Sequence, residues 1–328
     1  MPGFNQTTIK KAIQFDGVGL HNGKDAVLKL LPAEPYHGIV FKRTDLKTKN
    51  LIPAVFSNVS KAALCTIIEN EFGTSVSTIE HLMGALYGEE IDNLLVEVNS
   101  SELPILDGSA KHFVKKLREA GIKNYDTPRK FIKVLKKFEL RKNDKYISIE
   151  PFENDLEIDF EIVYKNQLIG KQRKSIKLSK SNLDPIYNSR TFCLFEDINK
   201  IRSQGLGKGG SLENAVIVQN DKILNEDGLR YKAEFVMHKI LDCMGDLMLA
   251  NYRFFGKIEC SRGGHRLTNE FLKDFMSDRN NFSIVEYKEK KLPELGGEGG
   301  VRTAFFSDIQ SFSTISEQLS STELVEWL

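Results

Sequence analysis

Alternating hydrophobic and polar positions fill most of the first third of the chain and are interrupted by two segments of helical periodicity. The alternation predicts strands at residues 26–31, 38–41 and 93–98. Residues 77–87 predict a helix with Ser77 or Thr78 near its N-cap, and residues 110–120 predict a second helix ended by Gly121. This part of the chain therefore combines strands with two helices.

The same mixture returns after a polar stretch with a proline, residues 124–130, which predicts a linker. The patterns predict strands at residues 131–140, 145–151, 156–164, 215–218 and 255–260, a partly helical segment at 188–203, and helices at 231–249 and 269–277. We therefore predict an α+β fold of two structurally similar domains, each a layered sheet with two helices. The predicted boundaries are 1–126 and 127–278 for the two domains, 279–300 for a linker and 301–328 for a tail.

Composition excludes several classes of protein. The 328 residues carry 46 Lys and Arg against 45 Asp and Glu, a balance that does not support a nucleic-acid partner or a polybasic membrane anchor. The four cysteines are widely spaced without a CxxC pair, so neither a disulfide framework nor a cysteine zinc finger is indicated. No leader-like or membrane-spanning apolar run occurs, and we expect a cytoplasmic protein without a transmembrane segment.

The predicted helix 231–249 carries the first pattern that suggests chemistry. His238 and Asp242 are four residues apart and so share one helix face, with Asp246 one turn further along. An imidazole and a carboxylate held in this way suit a divalent metal such as zinc. The same spacing also fits a surface His/Asp pair on an amphipathic helix.

Two further histidines stand in suggestive places. Glu80 and His81 are adjacent at the start of a predicted helix, where an ordinary first-turn glutamate is the alternative. His265 follows two glycines, which suits a mobile acid or base as well as a simple turn. In combination, His81, His238 and Asp242 supply three ligands and leave one position open, as in catalytic zinc sites. Glu80 would then be the general base, and His265, oriented by Asp246, the second acid/base group.

Longer motifs resemble those of the bacterial zinc-dependent UDP-3-O-acyl-N-acetylglucosamine deacetylases, the LpxC family, in order through about residues 5–275. They are residues 17–23 (GVGLHNG), 38–45 (GIVFKRTD), 77–81 (STIEH), 91–93 (IDN), 104–110 (PILDGSA), 189–192 (SRTF), 224–231 (LNEDGLRY) and 238–247 (HKILDCMGDL). The resemblance implies two α+β domains packed face to face with the active site between them. It implies removal of acetate from a UDP-3-O-(3-hydroxyacyl)-N-acetylglucosamine, the committed step of lipid A biosynthesis.

The resemblance also implies roles for particular residues. His81, His238 and Asp242 would hold one Zn²⁺, with Fe²⁺ as a possible substitute, while Glu80 activates water. Thr191 would stabilise the oxyanion, and His265 with Asp246 would protonate the leaving amine. The implied substrate contacts are Lys239, Phe192, Arg262 and Tyr164 around the nucleotide sugar, and Ile198, Gly210, Ser211 and Val218 along an acyl-chain passage. We expect a monomer that touches the membrane surface transiently through its lipid-bearing substrate.

The chain departs from the family pattern in three places. Residues 262–269 read RGGHRLTN where KSGHALNN is usual, residues 163–167 read VYKNQ where DFNHP is usual, and Cys193 replaces a glycine. The altered region near Tyr164 keeps open an amidohydrolase acting on another N-acyl sugar. A non-catalytic nucleotide-sugar-binding protein is the other alternative.

The tail resembles a different family. Residues 301–320 are similar to the opening strand and helix of a class III adenylate or guanylate cyclase domain, with Asp308 matching one of its metal-binding aspartates. The second metal aspartate and the base-recognition residues have no counterpart here. Because a single strand and helix cannot bury a core, we expect a truncated fragment that is not an independent fold and has no cyclase activity.

Overall fold

A computed structural model describes residues 3–179 and 181–286 of the chain. The first half has strands on either side of two helices. Its elements are β1 (Asn5–Ile9), β2 (Ile13–Val18), β3 (Asp25–Pro32), β4 (Ile39–Arg43), β5 (Leu51–Pro53), β6 (Val59–Ala62), β7 (Thr66–Glu69), β8 (Ser75–Ser77), α1 (Glu80–Gly88), β9 (Leu94–Val98), α2 (Lys111–Ala120) and β10 (Ile122–Pro128).

Three sheets organise this half. The main sheet has the order β2-β3-β9-β4-β5, a second sheet has the order β6-β7-β8, and β1 pairs with β10. Strand β3 shows how the pattern specifies a buried face, because its alternate residues Ala26, Leu28 and Leu30 are buried in the core. Helix α1 is buried along nearly its whole length, as its lack of a polar face predicts.

The second half repeats the mixture of strands and helices. Its elements are β11 (Lys130–Val134), β12 (Phe138–Lys142), β13 (Lys145–Glu150), β14 (Leu156–Val163), β15 (Lys171–Lys177), α3 (Asp184–Tyr187), β16 (Phe192–Leu194), α4 (Phe195–Ser203), β17 (Val216–Gln219), β18 (Lys222–Ile223), α5 (Glu234–Met248), β19 (Arg253–Ser261), α6 (His265–Ser277) and β20 (Phe282–Glu286). The main sheet has the order β12-β13-β19-β11-β20, with β14 lying between β19 and β15, and β16, β17 and β18 form a small sheet. The α+β class predicted from the sequence is confirmed.

Helices α1 and α5 are pressed together between the two halves, and two glycines make this possible. A Cβ atom added to Gly84 would lie 2.7 Å from the Leu241 side chain, and one added to Gly245 would lie 2.1 Å from the carbonyl oxygen of Glu80. Any larger residue would separate the helices. This close approach places the predicted ligands of the two helices side by side.

The structure corrects several boundaries. The predicted linker 124–130 is instead the end of β10 and the start of β11, and only Arg129 separates these strands. Arg129 is buried and forms ion pairs with Glu90 (3.0 Å) and Asp92 (2.8 Å). The charged residues here give the stretch the composition of a linker, which explains the wrong prediction. The backbone nevertheless forms a strand, because β10 pairs with β1.

Other elements also begin or end elsewhere. The predicted strand 131–140 is two strands, β11 and β12, and the last helix begins at His265 rather than 269. Ser77 ends β8, so α1 begins only at Glu80. The predicted linker 279–300 begins too early, because β20 pairs with β11 in the sheet.

Part of the prediction lies outside the described residues, namely the remainder of the linker from 287 and the cyclase-like segment 301–328. Within the described residues, no helix has the length and apolar character needed to cross a membrane.

Candidate active site

The two histidines and the aspartate predicted as metal ligands meet at the contact of α1 and α5. One ligand atom from each of His81, His238 and Asp242 lies within 4.8 Å of the other two. The Asp242 Oδ1 atom is 3.4 Å from His238 Nε2 and 3.7 Å from His81 Nε2. All three residues are buried. Residues 157 positions apart along the chain therefore form one compact donor cluster.

The hydrogen bonds around this cluster fit a divalent metal. The Oδ1 atom of Asp242 is buried and has no hydrogen-bond partner, which is costly unless something else satisfies it. The Nδ1 atom of His238 lies 3.1 Å from the Ser189 carbonyl oxygen. A hydrogen bond of this kind fixes the imidazole with Nε2 free, as is usual for metal-binding histidines. Nitrogen and oxygen donors in this combination suit zinc or iron(II).

The electrostatics keep the histidines neutral and the carboxylate ionised. Burial lowers the pKa of His81 to about 3, and it also lowers the pKa of His238. Burial alone would raise the pKa of Asp242, but the nearby His238 and Lys239 hold that pKa far below its usual range. Metal binding requires these protonation states.

A second pair of groups stands next to the cluster. His265, at the start of α6, has its Nδ1 atom 2.9 Å from Asp246 Oδ2 and its Nε2 atom 3.6 Å from Glu80 Oε1. Burial opposes a charged imidazole, yet the Asp246 and Glu80 carboxylates outweigh it and raise the pKa of His265 to about 9. Burial raises the pKa of Glu80 to about 7. A carboxylate and an imidazolium therefore face each other near neutral pH, as a base and an acid would.

Thr66 also belongs to this arrangement, although sequence reasoning missed it. Its hydroxyl donates to Asp246 Oδ1 at 2.6 Å, and its backbone N–H donates to Glu80 Oε2 at 3.1 Å. No spacing rule links a threonine on β7 to an aspartate 180 positions later. The bond becomes visible only when β7 and α5 are in place.

A mostly apolar cavity of about 370 Å³ lies beside Thr191 and Phe192. Of the predicted passage residues, Ile198, Gly210 and Ser211 line it. Further lining residues that the sequence did not suggest include Leu20, His21, Leu64 and Cys193.

Val218 is placed differently from the prediction. It is fully buried in the core, and its neighbour Ile217 lines the cavity instead. Successive side chains of a strand point to opposite faces. An error of one residue on β17 therefore assigns a core residue to the cavity wall.

The predicted nucleotide-sugar contacts differ in what they touch. Tyr164 packs edge-on against Phe192, with ring centroids 5.6 Å apart, and Phe192 lies 6.3 Å from the His238 ring. The Lys239 ammonium lies 2.6 Å from Asp242 Oδ2. Arg262 instead pairs with Asp144 at 2.7 Å on the surface. Lys239 therefore pairs with a member of the cluster, Phe192 lies next to it and Tyr164 packs on Phe192, whereas Arg262 pairs with Asp144.

Comparison with known sequences agrees with this geometry. The profile of the family described as UDP-3-O-acyl N-acetylglycosamine deacetylase (LpxC) matches residues 6–277. A UDP-3-O-acyl-N-acetylglucosamine deacetylase of Actinobacillus pleuropneumoniae serotype 3 is 39% identical over 289 residues, 87% of this chain and 94% of that protein. One from Mannheimia succiniciproducens is 40% identical over 293 residues, 88% of this chain and 96% of that protein. The chain belongs to the LpxC family.

Proposed function

We propose that this protein is a zinc-dependent deacetylase that hydrolyses the acetamide of UDP-3-O-(3-hydroxyacyl)-N-acetylglucosamine. The products are acetate and the free amine, and the reaction is the committed step of lipid A biosynthesis. Relatives at 39–40% identity carry this activity in their names. The proposal is also supported by a complete set of the groups that the reaction needs.

The observation that carries the proposal is the juxtaposition of a metal-type donor cluster with a base and an acid. His81, His238 and Asp242 share one position, and Asp242 keeps a buried oxygen without a hydrogen-bond partner. The Glu80 and His265 side chains face each other across 3.6 Å beside it. A surface His/Asp pair would show neither the burial nor the second pair of groups.

His81, His238 and Asp242 would hold the metal ion. Two imidazoles and one carboxylate favour zinc as this ion, and iron(II) would be a substitute. When bound, such an ion supplies Lewis acidity, lowering the pKa of water and polarising an amide carbonyl. Glu80 takes the proton from the attacking water, because its raised pKa makes it a competent base near neutral pH.

The remaining groups complete the reaction. His265 is held protonated by Asp246 and donates its proton to the leaving amine. Thr191, at the cavity wall, donates its hydroxyl to the developing oxyanion. These roles divide the work between a base on α1 and an acid on α6.

Substrate recognition uses the surroundings of this centre. Lys239, Tyr164 and Phe192 would contact the nucleotide sugar, while Arg262 would first have to leave Asp144 to reach a phosphate. The apolar cavity would take the acyl chain, with Ile198, Gly210 and Ser211 in its wall. The division into domains 1–126 and 127–278, the monomeric state, the cytoplasmic location and transient contact with a membrane surface stay predictions.

The test compares two substrates on the zinc-loaded protein. Acetate release is measured with the UDP-linked, 3-O-acylated N-acetylglucosamine and with the same acylated sugar lacking UDP. We expect rapid release from the first and little from the second. Release from the second alone would favour a different N-acyl sugar, and release from neither would refute the proposal. Glu80→Gln is the matched control, because it preserves the shape of the site and removes the base.

A further inference from the structure

Thr66 is the first residue of β7 and is almost completely buried, with 1% of its surface exposed. Its two donor groups reach two different carboxylates. The hydroxyl donates to Asp246 Oδ1 at 2.6 Å, and the backbone N–H donates to Glu80 Oε2 at 3.1 Å. In each case the other oxygen of the same carboxylate faces His265. One residue therefore holds two of the three carboxylates that approach the His265 ring, the third being Asp242, whose Oδ2 atom lies 3.8 Å from His265 Nε2.

The geometry of Asp246 explains why the hydroxyl matters. Asp246 Oδ2 pairs with His265 Nδ1 at 2.9 Å, so its plane decides where the ring points. A carboxylate bound at one oxygen alone can rotate, whereas a bond at each oxygen fixes its plane. Because the site is buried, no bulk water replaces the Thr66 hydroxyl when it is lost. Asp246 then keeps only its bond to His265, and the orientation of the His265 ring becomes less fixed.

The hydroxyl bond also joins the two halves of the chain, because Thr66 lies on β7 and Asp246 on α5. The backbone bond from the same residue reaches Glu80 at the start of α1. The relative positions of the base and the acid are therefore both fixed by hydrogen bonds from a single residue. A displacement of about 1 Å in such an arrangement can cost about 10²-fold in rate.

We propose that Thr66 is a positioning residue for the deacetylation: its hydroxyl orients His265 through Asp246, while its backbone N–H holds Glu80. The inference rests on the proposed function. It assigns no chemistry to Thr66, which does not itself touch the reacting atoms. The effect of its hydroxyl must therefore pass through Asp246 and His265.

Thr66→Val removes the hydroxyl, keeps the size of the side chain and preserves the backbone donor. We expect kcat to fall by about 10–10²-fold with KM changed less than about twofold and with normal metal content. Thr66→Ser, which restores the hydroxyl, should return kcat to within about threefold of wild type. Thr66→Ala tests the same bond if the valine variant does not fold.

Thr8→Val is the control for a purely structural effect. The Thr8 hydroxyl is equally buried and donates to the carbonyl oxygen of Asn93, the residue before β9. This variant should lose thermal stability but keep kcat. If Thr8→Val lowered kcat as much as Thr66→Val, or if the serine variant were no better than the valine one, the positioning role would be refuted.

A double-mutant cycle tests the route through His265. In a His265→Ala background, assayed with long incubations, Thr66→Val should cost less than about twofold, since its intermediary is gone. The same 10–10²-fold loss in both backgrounds would overturn the inference. An active wild-type enzyme with an unaffected Thr66→Val variant would overturn it too and leave the proposed function intact, whereas an inactive zinc-loaded wild type would refute the proposed function itself.

Discussion

The contact between α1 and α5 is so close at Gly245 that a single methyl group should disturb the active site. In Gly245→Ala, the added Cβ atom would lie 2.1 Å from the Glu80 carbonyl oxygen and 2.9 Å from its carbonyl carbon. A carbon–oxygen contact needs about 3.3 Å. The two helices must therefore separate by about 1 Å at Glu80, the proposed base.

The expected energies follow from this displacement. Alanine in place of glycine favours the helix by about 1 kcal/mol, while overpacking a core costs about 1–3 kcal/mol. The free energy of unfolding should therefore fall by about 0–2 kcal/mol. Because a misplacement of about 1 Å can cost about 10²-fold in rate, kcat should fall far more than stability does.

Two assays separate these effects: acetate release at saturating substrate, and equilibrium unfolding in urea. The control is Ile147→Val, a deletion of one methylene from the fully buried core of β13, which should cost about 0.5–1.5 kcal/mol. Ile147→Val should keep kcat. If Gly245→Ala retained wild-type kcat, or if Ile147→Val lost as much activity, the close helix contact would not be what positions Glu80.

The remaining predictions concern the base, the pH profile, the metal and the acyl chain. Glu80→Gln should keep its zinc and lose about 10²–10⁴-fold in kcat, as measured by metal analysis and acetate release; near-normal turnover would refute its role as base. Glu80 must be ionised and His265 protonated, so activity should fall below about pH 7, where Glu80 gains a proton, and above about pH 9, where His265 loses one. A bound cation favours the ionised Glu80 and moves the acid side of the pH–activity profile to lower pH. Activity that did not change from pH 5 to 10 would contradict both assignments. Chelation should abolish activity and lower the thermal unfolding temperature, with both restored by zinc, because the metal stabilises only the folded state. Each added acyl CH₂ should raise kcat/KM about fourfold until the cavity of about 370 Å³ is full, since its burial contributes about 0.8 kcal/mol.

The candidate metal site could be predicted because its strongest elements are local. His238 and Asp242 lie one helical turn apart, and the helix that carries them is long and mostly buried. Adding His81 from another helix required combining separate weak patterns, and the structure brings all three together.

What the sequence missed depends on tertiary contacts. The bond from Thr66 to Asp246 has no spacing signature, and the exchange of Val218 for Ile217 reflects the uncertain register of a short strand. The linker predicted at 124–130 is a polar strand whose pairing with β1 cannot be seen locally. Composition predicts loops well only where no distant strand is available to pair.

The most direct test of the metal centre is anomalous diffraction at the zinc edge from crystals of the zinc-loaded protein. We expect a peak about 2.0–2.2 Å from Nε2 of His81, Nε2 of His238 and a carboxylate oxygen of Asp242. Full zinc loading without a peak at this position, or with the strongest peak on other side chains, would contradict this expectation.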